Sequence, residues 1–441
     1  MPVTPPPAQS QQQLRFIREN EYNVTPGSGT WQRASSWSIN PEPVFDVDLY
    51  KAQGEQLPSS STLDDEFTQG DIEGRLDYEA IGTILTSMFG DPTITIPGGG
   101  TLSRQAVWAW NGADVILPAS YTLESGLPDA ADRIPGFLFN GFGFSGDREG
   151  FELAGSGWGQ KMTHGVQMSS AVNEVQTVTI TGSPTGGTYT LTFKGKTTAP
   201  IAYNATAAVV QAALEGLASI QGGGVAVTGG PHPGTPIVVT FRRHLAARDV
   251  PMMTAAGSFT GGTVPAVAVA ATTAGADNAV GVRPRLVSPL SMSLFMGNSM
   301  ADLAVANNRL RHVYEMDFGL GERWERTRPI NALLDSDYFV ERMEQEHQLT
   351  LSFALDATQR GLVSKIRNGD LVYFRLESIG PIIEGAIPYS LRLDFATFIQ
   401  EAAATAELNS LSAREWTMHL ARNATANEAF VATVVNTRTE Y

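Results

Sequence analysis

The chain has 441 residues, 42% hydrophobic and 17% charged, which is enough apolar material for one large core or a few smaller ones and too much for a disordered chain. A net charge of −15 speaks against the basic surface that tight nucleic-acid binding needs, and the absence of cysteine removes disulfides, thiolate metal sites and thiol nucleophiles. With 44 glycines, 25 prolines and many threonines and valines, a mainly β protein rich in turns is predicted.

The chain opens on "MPVTPPPAQSQQQ", so residues 1–13 are expected to form a flexible arm. This stretch lacks the basic-then-apolar order of a secretion signal, and no apolar run approaches the roughly 20 residues of a membrane span. Residues 14–40 hold short strand-like pieces broken at "TPGSG", and 41–70 form a long extended segment ending in "SSSTLDDEFTQG". A loop of that length is more often functional than idle. In "DIEGRLDYEAIGTILTSMFG", Asp71, Glu73, Arg75 and Asp77 alternate with Ile72, Gly74, Leu76 and Tyr78, the pattern of a strand with one polar face. Ile81, Ile84, Leu85, Met88 and Phe89 then recur at helical spacing, predicting a short amphipathic helix that Asp77 caps and Gly90 stops. "GFGFSG" at 141–146 formally fits a dinucleotide loop, but the alternating "DREGFELAGSGWG" after it reads as a Gly-rich hairpin.

Composition changes at residue 173 and changes back near 275. This stretch holds five Lys/Arg against three acids, so it is +2 while the remainder is −17. Strands at 175–181 and 188–194 around a Gly-Gly turn are expected, then a helix from Thr206 to Leu217 with Val209, Val210, Ala213, Leu214 and Leu217 inward, then strands at 225–228 and 236–242. That ββαββ order suffices for a small inserted α+β domain. Beyond it, Glu344, Glu346, Gln348, Thr350 and Ser352 occupy one face of a strand, opposite Leu349, Leu351, Phe353 and Leu355. A helix follows, with Asp356 and Gln359 at capping-box spacing, Leu362, Val363 and Ile366 inward, and "NG" at 368–369 as its stop. Strand, short helix, strand on both sides of the insert makes 14–172 and 276–441 two parts of one host domain.

Catalytic signals are missing. The six histidines show no H-x-x-x-H or H-E-x-x-H spacing, no G-x-S-x-G elbow is present, and "KGKTT" at 194–198 lacks the leading glycine of a phosphate loop, having Thr190 there. Asp64, Asp65 and Glu66 read as a solvated or partner-facing acidic run rather than a cation site. No enzyme activity, cofactor or metal is expected.

The order "ENEYNVTPGSGTW", an extended acidic loop, "GDIEGRLDYEAIGTILTSMFG", "IPGFLFNGFGFSGDREGFELAGSGWG" and a C-terminal strand, helix, strand resembles the major tail tube proteins of long-tailed bacteriophages. The likeness covers most of 14–172 and, less sharply, 330–441. It implies a β-sandwich or partial barrel with short flanking helices, hexameric rings stacked around a tape-measure protein between tail terminator and baseplate, and a channel for phage DNA. The virion tail, assembled in the host cytoplasm, is the implied location. The resemblance also makes 44–70 an inter-ring loop, with Asp46, Asp48, Tyr50, Asp64, Asp65, Glu66 and Phe67 as contact candidates. Residues 173–275 resemble modules that project from such particles. Asp71, Glu73, Asp77, Glu344 and Glu346 become candidates for an acidic channel lining that repels DNA. A capsid or baseplate protein, or a host-surface or carbohydrate binder acting through 173–275, is the alternative; residues 276–441 are expected to end in a C-terminal arm.

Overall fold

The structure, a computed structural model, describes residues 12–441 apart from 27–30, 35, 54–55, 112–115, 148, 170, 221, 243–244, 248, 278, 282–283, 306–307, 311–312, 328–337, 342–346, 355–356, 403–405, 409–410 and 423–428. Glu344 and Glu346 therefore lie outside the described residues, as does most of the expected N-terminal arm. The protein is mainly β, with large antiparallel sheets and few helices.

One sheet runs, neighbour to neighbour, through Trp37–Tyr50, Ser60–Arg75, Phe151–Gly159, Ala130–Gly146, Val313–Leu320, His347–Ala354 and Leu411–Ala421, each pair antiparallel. The strand Ile387–Ala402 carries the chain from this sheet to a second one. Its later half pairs with Leu411–Ala421, while its earlier half pairs with Phe430–Asn436, beyond which lies Arg104–Trp110. The two sheets face each other across aromatic rings: Phe318 of the first lies 5.5 Å from Phe395 and 6.4 Å from Phe430 of the second. Such offset and tilted pairs add to plain area burial.

Between the sheets sits the helix Ile81–Phe89, which differs from the amphipathic helix of the sequence reading. All nine of its residues are buried, because its polar members Thr83, Thr86 and Ser87 find partners inside: Thr83 accepts from Arg438, Thr86 from the Trp108 indole, and Ser87 from the Phe139 amide. Asp77, expected as its cap, instead holds the turn before it, its Oδ1 accepting from the amides of Glu79 and Ala80, the latter being the N-cap; Gly90 ends the helix at φ 75°, the left-handed region a glycine reaches without penalty. The last residues of the chain are not a free arm. Arg438 donates to the Glu79 carbonyl, and the Tyr441 ring is buried against the helix at Gly82 and edge-on to Trp108 at 5.2 Å.

Residues 175–273 hold a separate hydrophobic cluster that includes Val178, Tyr189, Leu191, Val210, Leu214, Ile237 and Phe241. Their strands differ from the ββαββ expectation. Val175–Thr181 and Gly186–Phe193 do not pair across a Gly-Gly turn; they belong to two sheets, and Gly186 and Gly187 begin the second strand. Two further strands, Thr254–Thr260 and Ala266–Thr273, complete those sheets. Both are dominated by Ala, Gly and Thr and largely exposed, so apolar alternation is confined to the two half-buried valines, Val267 and Val269. The helix Ala207–Glu215 buries Val210 and Leu214 but leaves Val209 52% exposed, since the helix covers the cluster with a narrow stripe. In the C-terminal helix, Ala357–Asn368, Leu362 is likewise buried, while Ile366 points outward. The chain reaches and leaves the 175–273 region side by side, through Ala171–Val172 paired with Ala276–Asp277.

The turn at 97–103 is held by Glu384, whose carboxylate accepts from the amides of Thr101, Leu102 and Ser103 and from the hydroxyls of Thr101 and Ser103. The Ser103 hydroxyl first, and then these amides, lower the Glu384 carboxyl from 4.5 to about 2.

Two outcomes follow. Replacing a helical glycine by alanine ordinarily gains about 1 kcal/mol; at Gly82 the new Cβ would lie 2.1 Å from the Tyr441 ring. Gly82→Ala is therefore expected to destabilise, by about 1–3 kcal/mol in urea unfolding, and a gain would contradict this packing. For Glu384 the folded value lies below the unfolded one, so its contribution is present above pH 4.5 and fades as pH falls toward 2. The stability advantage of the native chain over Glu384→Gln should shrink across that window; an advantage independent of pH would count against the carboxylate's role.

Candidate functional site

The polar face of the first sheet extends across six strands. Arg75, Glu152, Ser145, Asp317, Thr350 and Thr417 form one cross-strand row, and Glu73, Ala154, Gly143, Gly319, Gln348 and His419 the next. Flanking rows contribute Glu315, Ser352 and Glu415 on one side and Asp71 and Ser156 on the other. The opposite face carries the core through Leu153, Phe144, Phe318, Leu349 and Met418, in register beneath these rows. Glycines sit where the strands approach most closely: a Cβ on Gly143 would stand 2.6 Å from the Phe318 carbonyl oxygen.

Asp71, Glu73, Glu152, Glu315, Asp317 and Glu415 are all exposed, and Arg75 is the one Lys/Arg side chain in these rows among the described residues. An open groove runs between Arg75, Asp147, Glu149, Glu152, Glu315 and Glu415. In water each carboxylate acts over roughly 8 Å at physiological salt, so neighbouring rows sum to one negative field. Among the described residues no three His, Asp or Glu side chains come together as a metal-binding group. The face can repel polyanions and attract small cations weakly.

Asp77, expected on this face, lies beyond the end of the strand and is buried at 2% exposure in the turn that leads into the helix. Glu152, Glu315, Asp317 and Glu415 were not singled out from sequence. "VYEMDFGL" does alternate Glu315 and Asp317 with Met316 and Phe318, but alternation alone does not say which strands become neighbours.

Residues 41–70, expected as an extended loop, form the outer part of a β-hairpin in which Tyr50 pairs with Ser60. Beyond Val44 the first strand is exposed throughout. Phe45, Val47 and Leu49 share one face with Leu63, and Phe45, Leu49 and Tyr50 are 55%, 59% and 60% exposed. Asp46 and Asp48 lie on the other face. A two-stranded ribbon with a wet apolar face is marginal alone and marks a contact surface.

The base of the ribbon is anchored. Asp46 stands opposite Asp65, a like-charge pair that Arg326 offsets by donating from both terminal nitrogens to Asp65 at 3.0 Å. The Arg326 guanidinium also lies 3.8 Å from the Phe67 ring centroid, and Lys161 pairs with Glu66. The acidic run thus splits: Asp64 is exposed, Asp65 is buried, and Glu66 and Phe67 are half-buried. The chain matches no protein-family model and no curated protein.

Removing one partner of a buried ion pair leaves an uncompensated charge. Arg326→Ala should lower stability by about 3 kcal/mol and speed amide exchange in residues 60–67 while 71–75 stay protected. Uniform exchange across 60–75 would show that the pair does not hold the ribbon.

Proposed function

We propose that this chain is a structural protein of a phage tail, in which copies assemble into hexameric rings that stack as a tube around a channel for DNA. The observation that carries the reading is the six-strand acidic face, backed by an aromatic core and bounded by a strand, Trp37–Tyr50, with no second partner strand among the described residues. A sheet with one dry face, one charged face and a free edge is completed when neighbours add their strands to it. The charged face then lines the bore, where carboxylates repel a duplex carrying one phosphate charge per about 1.7 Å.

The projecting hairpin supports the same reading. Its exposed Phe45, Val47, Leu49 and Tyr50 fit an apolar seat on an adjacent ring, a heterologous contact that repeats without closing. Tape-measure protein inside, terminator and baseplate proteins at the ends, and DNA in passage are the partners of such a tube. Residues 173–275, connected through two adjacent strands, suit a module displayed on the outside.

Electron microscopy of the concentrated protein tests this: tubes or six-fold rings are expected, and shells or a permanently monomeric chain would overturn it. Assembled tubes should not retain duplex DNA at physiological salt. Tubes carrying Glu73→Lys, Asp317→Lys and Glu415→Lys together should retain it, with binding that falls steeply as salt rises.

A further inference from the structure

The two sheets of residues 175–273 treat their edges unequally. Val225–Gly229 is an edge strand, but the Gln211 side chain of the adjacent helix accepts from the Val227 amide and shields it. In the other sheet, Lys196–Thr197 and Ile201–Ala202 make an edge of two-residue pieces interrupted by Pro200. Short strands, proline and a covering helix are the usual protections against strand addition. Among the described residues the opposite flank has neither a covering helix nor a strand broken into short pieces, and its proline, Pro265, stands before the strand rather than within it. Thr254–Thr260 pairs only with Gly186–Thr192, and Ala266–Thr273 only with Val175–Thr181, among the described residues. From Val250 to Ala276 the chain carries no charged side chain. Along Ala266–Thr273, Ala266, Ala268, Ala270 and Thr272 are exposed.

We infer that the Ala266–Thr273 edge is a self-association strand, pairing antiparallel with the same strand of a second copy of this chain. A row of open backbone donors and acceptors is complemented by another strand. A foreign peptide would be selected by side-chain pockets, and alanines and threonines form none; a charged partner would find nothing to read. A second copy meets no like-charge repulsion on this uncharged edge, and a two-fold axis presents every donor to an acceptor by symmetry. The contact is small, of the class that persists through local concentration rather than area. It goes beyond the tube reading and does not depend on it.

The cysteine-free chain allows a direct test. In an antiparallel pair related by a two-fold axis, one residue faces its own copy at a Cα separation of about 4.5–5.5 Å, within disulfide range. Single cysteines placed one at a time from Ala266→Cys through Thr273→Cys in the full-length protein, oxidised in concentrated solution, should give a disulfide dimer peaking sharply at one position. Thr228→Cys on the shielded edge should give none. Adding Ala268→Lys to the peak variant should cut the yield about fivefold; if Ala268 is itself the peak, Ala270→Lys serves instead. Equal yield at all positions, or no dimer with circular dichroism intact, would overturn the inference. Electron microscopy of the native chain reads ring formation separately, so the two proposals fail independently.

Discussion

A strand with only one neighbour leaves half of its backbone polar groups to water, and this constraint organises the molecule. Within the host sheets most strands have neighbours on both sides, and the strand Ile387–Ala402 bends from one sheet to the other, so two margins are joined by a single segment. Among the described residues the longest strand with a single partner strand is Trp37–Tyr50, whose outer half also carries the exposed apolar ribbon. Unsatisfied backbone and unburied side chains therefore coincide on one element.

The same sheet separates two environments across one thickness of polypeptide. On its inner side Phe318 meets rings from the facing sheet; on its outer side, Asp317 and Glu315 alternate with it and face water. The alternation forbids a slip of register, since moving Val313–Leu320 by one residue would drive Glu315 and Asp317 into the aromatic layer. Glycines at 141, 143, 155 and 157 let the strands pack where a side chain would meet a neighbouring backbone or ring.

Much of this was legible in the sequence. The β class, the polar face at Asp71 and Glu73 and the limits of the Ile81–Phe89 helix follow from spacing and from Gly90. The complete burial of that helix was not legible, because Thr83, Thr86 and Ser87 read as a solvent face until Arg438, Trp108 and Phe139 are seen to supply their partners. Nor could spacing show that Glu152, Asp317 and Glu415 would join Glu73 on one surface, since strand order is a long-range property. The strands at 254–260 and 266–273 escaped notice because alanine and glycine have weak strand propensity and these strands bury side chains only in part, at Ala255, Phe259, Val267 and Val269. The outward Val209 and Ile366 show the reverse error: apolar residues at helical spacing that the helix nevertheless turns to water.

The pairing of Ala171–Val172 with Ala276–Asp277 has a consequence for how such a chain can change. The two joints stand one strand spacing apart, so the host needs from the intervening hundred or so residues only that their ends meet. Any compact unit with neighbouring termini satisfies that condition. A unit of different sequence whose termini lie as close would leave the pairing at this joint unchanged.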